Sequence, residues 1–100
     1  MAIINLKFNR EMAIATVEGH KIITTRDEQK GHPGDTFSIW GAWFRLLDIQ
    51  PLPLATIRDQ FYLVEGFYYP ELFEQYWKIV LKKDWSDSKI KYLHFFGRVE

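Results

Sequence analysis

The segment AWFRLLDIQPL, residues 42–52, is the longest run in the chain that reads as a strand. Aromatic and branched apolar residues dominate it, and Pro51 and Pro53 are expected to end it. Ahead of it stands TFSIW, residues 36–40, which alternates with the period of two of a half-buried strand. Gly41 between the two permits a turn or a bulge. This pair of strands commits the chain to a sheet, and the remaining segments must complete it or cover it.

Residues 2–8 form either a short strand or a lead-in. NREMAIATVEG, residues 9–19, reads as a short helix with Asn9 as N-cap and Gly19 as a left-handed stop. KIITTR, residues 21–26, is short and β-branched, hence a strand, and the loop DEQKGHPGD follows it. LATIRDQ, residues 54–60, supplies one or two helical turns. The strongest helix signal covers residues 68–83: Pro70 suits the first turn, and Leu72, Phe73, Tyr76, Trp77 and Val80 recur at helical spacing. KIKYLHFFGRV closes the chain as a strand with Ile90, Tyr92 and His94 on one face. Strands meeting mostly through short turns imply an α+β fold, a small mixed sheet curled into a β-barrel with flanking helices at its ends. Residues 1–100 are expected to form a single domain.

Composition removes several functions. The chain has no cysteine, which excludes disulfides, thiol catalysis and cysteine metal sites. His20, His32 and His94 have no metal-ligand spacing, so no metal is expected. No P-loop or G-x-G-x-x-G is present, and no cofactor is expected. No apolar run approaches the roughly 20 residues of a membrane helix, and the N-terminus lacks signal-peptide character. The expectation is a cytoplasmic protein without a membrane partner. Thirteen basic residues balance thirteen acidic ones, so no general field favours a polyanion. The charge is nevertheless uneven, with Lys78, Lys82, Lys83, Lys89 and Lys91 crowding the last quarter. Glu71 and Glu74 early in the helix, with lysines late, complement its dipole.

The stretch GHKIITTR, residues 19–26, carries the candidate chemistry. In a regular strand Lys21 and Thr24, three apart, fall on opposite faces. They cooperate only if Lys21 lies in the junction after Gly19, before the strand is regular. Thr24 and Arg26 share a face in either case. The alternative is a solvated strand that carries good strand formers. The pattern G-x-K-x-x-T-x-R, the Gly34-Asp35 pair after it, the element VEGF at residues 64–67 and the closing strand resemble the ASCH family.

That resemblance covers nearly the whole chain and implies a PUA-like barrel. The family includes RNA-associated modules, proposed ribonucleases and small bacterial amidohydrolases that deacetylate N4-acetylcytidine. The chain is most similar to the last group, in its length and in TRDE after the motif, whereas residues 50–64 follow the wider ASCH pattern. The resemblance places the catalytic lysine on Lys21, the threonine on Thr24 and the glutamate on Glu65.

Amide hydrolysis needs a nucleophile, a base and an acid for the leaving amine. A lysine serves as base only when neutral, so its pKa must fall well below about 10.4. Burial and Arg26 would lower it, and Glu65 would raise it. Arg26 is a candidate for substrate or oxyanion binding, or else a salt-bridge partner of Asp35 or Glu28. Glu65 has a second reading, as a helix-entrance group. Phe61 and Tyr62, nearest Glu65 in sequence, are candidates to stack on a base. The expected partner is a small-molecule nucleoside substrate. An RNA-binding or RNA-cleaving module is the alternative.

Overall fold

The computed structural model describes residues 1–99. Its elements are α1 (Arg10–Val17), β1 (Ile23–Arg26), β2 (Thr36–Ile39), β3 (Ala42–Pro53), α2 (Leu54–Phe61), α3 (Pro70–Gln75) and β4 (Ile90–Arg98). A π-helical turn over Tyr76–Val80 continues α3. The strands form one sheet in the order β1-β4-β3-β2, every neighbouring pair antiparallel. The architecture is α+β, a four-stranded half-barrel accompanied by three helices. The parallel component is an isolated bridge between Ile3 and Thr36. The Ile4 N–H donates to Thr36 O at 2.8 Å, and the Thr36 N–H donates to Ala2 O at 2.9 Å. The N-terminal segment is thus a lead-in along β2.

Ile39 pairs with Ala42, which leaves Trp40 and Gly41 as a two-residue hairpin loop. Their φ angles of 50° and 85° are left-handed, as a type I′ turn requires. β3 does not stop at Pro51: that residue pairs with Tyr92, and Pro53 pairs with Ile90. β2 covers only Ala42–Arg45 of β3, so the later half of β3 has a free edge. A proline whose nitrogen faces a free edge removes no ladder bond.

The expected helix over residues 68–83 starts at Pro70 and changes pitch at Tyr76. The Leu81 N–H reaches five residues back to Tyr76 O at 3.0 Å. Lys82, with φ 55°, then leaves the helix, so Lys82 and Lys83 lie beyond its end. Three of the late lysines enter ion pairs. Lys78 pairs with Glu74 at 2.5 Å, and Lys83 and Lys91 each reach Asp27 at 2.6 Å.

The core has two parts. One gathers Leu6, Phe37, Phe44, Leu46 and Phe96. The other gathers Ile23, Leu54, Ile57, Phe73, Trp77 and Leu93. Leu93 and Phe96, three apart in β4, point to opposite faces. Because β4 is covered on both, the adjacent residues Leu93 and His94 are both fully buried. Among the described residues no helix is long and apolar enough to cross a membrane.

Candidate active site

β1 is an edge strand, and the motif residues converge along its free edge. Helix α1 ends at Gly19, φ 85°. The next two N–H groups, of His20 and Lys21, both return to Ala15 O, at 2.9 and 3.1 Å. Lys21 therefore lies in an irregular junction two residues before β1, where strand alternation does not govern its direction. The Ile22 N–H then donates to Val64 O at 2.9 Å. That bond fixes residue 64 against the strand edge and brings Glu65 beside Lys21. Gly66 follows with φ 104°, a left-handed turn that a side chain would strain.

Lys21 and Glu65 form a buried ion pair, each with a side chain only 3% exposed, Nζ to Oε1 2.5 Å. Lys21 Nζ also donates to the Glu65 backbone oxygen at 3.1 Å. The second carboxylate oxygen of Glu65 accepts a hydrogen bond from the Thr25 hydroxyl. Burial pushes the Lys21 amine below the ordinary lysine value; Glu65 opposes this, and Arg26 adds to the lowering. Desolvation disfavours the charged form, and here it outweighs the attraction of the partner.

Thr24, also buried, makes a different contact: its hydroxyl oxygen accepts from Arg26 Nε at 3.1 Å. Its hydroxyl proton is thereby left free to be given away. The Arg26 guanidinium lies over the Phe8 ring, 5.0 Å from its centre. The two acids proposed as its partners are engaged elsewhere. Asp35 accepts from the N–H groups of Ala2 and His32, at 2.8 and 2.9 Å, and Glu28 lies 3.8 Å from Lys30. Among the described residues no carboxylate stands within ion-pair distance of Arg26.

Lys21, Thr24, Thr25, Arg26 and Glu65 all line one cavity of about 160 Å³. Thr24 and Thr25 point to opposite faces of β1, and both reach the cavity because it lies at an edge rather than over a face. The size is well below the roughly 300–1,000 Å³ of pockets for drug-sized ligands, so it suits a single ring and its substituent. Aromatic wall residues are Phe8, Phe67, Phe73, Tyr76 and Trp77.

Phe61 and Tyr62 are not among the lining residues. They pack against the second core, with Phe61 edge-on to Phe95 at 5.9 Å between ring centres. Sequence proximity to Glu65 misplaces them because α2 carries them toward β4 before the chain turns back to the strand edge.

Two contributors escaped the sequence reading. Thr25 was only the neighbour of the motif threonine. Tyr76 was absorbed into the apolar stripe of its helix. Its hydroxyl was the available signal, since the hydroxyl of a half-buried tyrosine usually finds a partner. That partner is Asn9, whose Nδ2 donates to the Tyr76 hydroxyl. The polarity follows from the N-cap, where Asn9 Oδ1 accepts from the Met12 N–H at 2.9 Å. Tyr76 therefore accepts from Asn9 and keeps its own proton to donate. Burial raises its pKa, so the phenol stays neutral.

His20, His32 and His94 do not meet. His94 is fully buried, while His20 and His32 are exposed near Glu18 and Asp35. Among the described residues no three potential metal ligands cluster.

This half-barrel, with its site at the edge of the first strand, has an ASCH-like fold. An ASCH domain from Lactobacillus crispatus JV V101 aligns over 97% of this chain and 77% of its own, with a TM-score of 0.65 and 11% identity. A protein from Enterococcus faecalis V583, described with the family model DUF984, aligns over 98% of this chain and 78% of its own, with a TM-score of 0.65 and 17% identity. At these identities the likeness is one of fold. No family model matches the sequence, and no curated protein matches it.

Proposed function

We propose that the protein is an amidohydrolase that removes the acyl group from N4-acylated cytosine nucleosides. The observation that carries the reading is the buried Lys21–Glu65 pair, in one cavity with a threonine hydroxyl held beside an arginine. The ASCH-like fold and the G-x-K-x-x-T-x-R motif support it.

In this reading neutral Lys21 takes the Thr24 hydroxyl proton as the oxygen attacks the acyl carbonyl. Arg26 and the Tyr76 hydroxyl face the oxygen that becomes negative, where fixed donors are worth most. The Lys21 ammonium then protonates N4 of the cytosine as the C–N bond breaks. Water hydrolyses the acyl ester by the same proton path, which releases the carboxylic acid and restores Thr24. Glu65 orients Lys21 and exchanges protons with it. Thr25 holds the second oxygen of Glu65 and so fixes the carboxylate.

The test is the absorbance change of N4-acetylcytidine on hydrolysis. The wild type is expected to turn over and Thr24→Ala to be inactive. Thr25→Val is expected to keep part of the rate. An active Thr24→Ala with an inactive Thr25→Val would move the nucleophile one residue along the strand. Absence of turnover by the wild type overturns the reading in favour of a binding module.

A further inference from the structure

The cavity carries more positive charge than the proposed chemistry uses. Lys7, Lys21, Arg26 and Lys83 line it, against Glu65 as the lining carboxylate. Glu65 is committed to Lys21 at 2.5 Å, and among the described residues Lys7 and Arg26 have no carboxylate within ion-pair distance. Asp27 stands beside the rim, yet it serves two lysines, with Lys83 and Lys91 both at 2.6 Å. One carboxylate between two ammonium groups leaves a net positive charge there. Lys83 is further held over the Trp77 ring, 4.9 Å from its centre. This imbalance sits in a chain whose charges cancel overall.

The cations differ in depth. Arg26 is half-buried beside Thr24, at the reacting centre. Lys7 is exposed and Lys83 is about one-third exposed, so these two stand at the rim. The aromatic residues Phe8, Phe67 and Tyr76 line the space between. A flat base stacks on such walls, and an anion attached to it by a short linker would meet the rim ammonium groups. A neutral nucleoside leaves Lys7 solvated and Lys83 with only its share of Asp27.

We propose that the site takes a phosphorylated nucleoside, its base in the aromatic interior and its phosphate on Lys7 and Lys83. This rests on the amidohydrolase reading for the base, and on the charge distribution alone for the phosphate. The phosphate belongs either to a free nucleotide or to a residue within RNA.

The experiment compares binding of cytidine, cytidine 5′-monophosphate and a cytidine-containing trinucleotide by calorimetry at low and high salt. The monophosphate is expected to bind roughly tenfold tighter than cytidine, the equivalent of one charge-assisted hydrogen bond, and to lose that advantage in high salt. The Lys7→Gln/Lys83→Gln variant is expected to bind both alike. Lys7→Gln alone breaks no ion pair among the described residues and is expected to remove part of the advantage, which guards against a folding defect in the double variant. Equal affinities in the wild type, or an advantage that survives both substitutions, overturn the proposal. A trinucleotide that binds more tightly than the monophosphate assigns the phosphate to RNA, and equal binding assigns it to a free nucleotide; each supports the proposal.

Turnover of N4-acetylcytidine and of its 5′-monophosphate separates the two claims. If neither is hydrolysed but the lysine-dependent binding gain persists, the amidohydrolase reading falls and the phosphate site stands. If both are hydrolysed with equal kcat/KM, the phosphate site falls and the amidohydrolase reading stands.

Discussion

Two buried regions of this small protein are built on opposite principles. Around Phe37 the rings of Phe44 and Phe96 pack at 5.4 and 5.3 Å between centres, one stacked and one edge-on. Such pairs contribute about 0.5–1.5 kcal/mol each beyond the area they bury. At the edge of β1, Lys21, Thr25 and Glu65 are as deeply buried, but they are polar and charged. Taking two charges from water costs several kcal/mol each, offset only by their mutual attraction and hydrogen bonds. Apolar residues of the same volume would serve stability as well. The first region is what the fold requires, and the second is what the cavity requires. Substitutions in the two should therefore fail in different ways.

The largest expected effect falls on activity. Lys21→Arg keeps a cation for Glu65 but cannot be deprotonated. If Lys21 is the base, turnover of N4-acetylcytidine falls by roughly 100- to 10,000-fold. In the wild type, activity should rise with pH, with an apparent pKa below that of an ordinary lysine, because burial lowers the Lys21 amine. An arginine variant that retains most of its rate, or a flat pH profile, removes Lys21 from the base role.

Next comes stability at the ion pair. Glu65→Leu strands the Lys21 charge in the interior and should cost about 3–5 kcal/mol. The double variant Lys21→Met/Glu65→Leu removes both charges and should recover most of that, or exceed the wild type, while remaining inactive. Chemical denaturation of the three proteins checks this. A double variant no more stable than the single one would mean that the pair stabilises the fold, and the contrast between the two regions would collapse.

The phenylalanine cluster should show the converse. Phe44 touches Phe37 and Phe96 and does not line the cavity. Phe44→Ala should cost about 3–5 kcal/mol through the lost packing and the void left behind. Turnover per folded molecule should stay within about twofold, because the substitution leaves the reacting groups in place. A large fall in kcat at full folding would show that the two regions are coupled.

The contrast also explains what could be read from the sequence. The helix cap at Asn9, the stop at Gly19, the β2–β3 hairpin and the closing strand follow local rules, and local rules are visible in sequence. The path of β3 through Pro51 was not, because whether a proline is tolerated depends on which neighbour the strand lacks. The pitch change at Tyr76 was hidden in the same way, since an apolar stripe looks alike in both helix types. At the site, the motif pointed to Lys21, Thr24 and Glu65. The sharing of Glu65 between Lys21 and Thr25 depends on contacts 40 or more residues apart in sequence.

The smallest effect probes the boundary between the two regions. His94 lies opposite Thr24 in the sheet register and is fully buried. Its Nε2 accepts from the Lys30 N–H at 2.8 Å, so the ring proton sits on Nδ1, which faces Tyr92 O at 3.0 Å. The neutral ring thus ties the loop after β1 to β4. Burial lowers its pKa below the usual histidine value, Arg26 adds to that, and Glu65 and the backbone contacts at Tyr92 and Thr24 oppose it. A histidine with a lowered folded pKa binds its proton more readily in the unfolded chain. Its contribution to stability is therefore complete above about pH 6.5, the unfolded value, and is lost as pH falls from there through the lower folded value. Protonation places a second donor at Nε2, against the Lys30 N–H, and releases the loop next to Thr24 and Arg26. The melting temperature should fall between about pH 6.5 and pH 5, above the range where most carboxylates take up protons. His94→Gln should be less stable at pH 8 and show a flatter dependence across that window. A wild-type profile that stays level down to pH 5 would mean that the histidine is neutral by chance of burial and holds nothing in place.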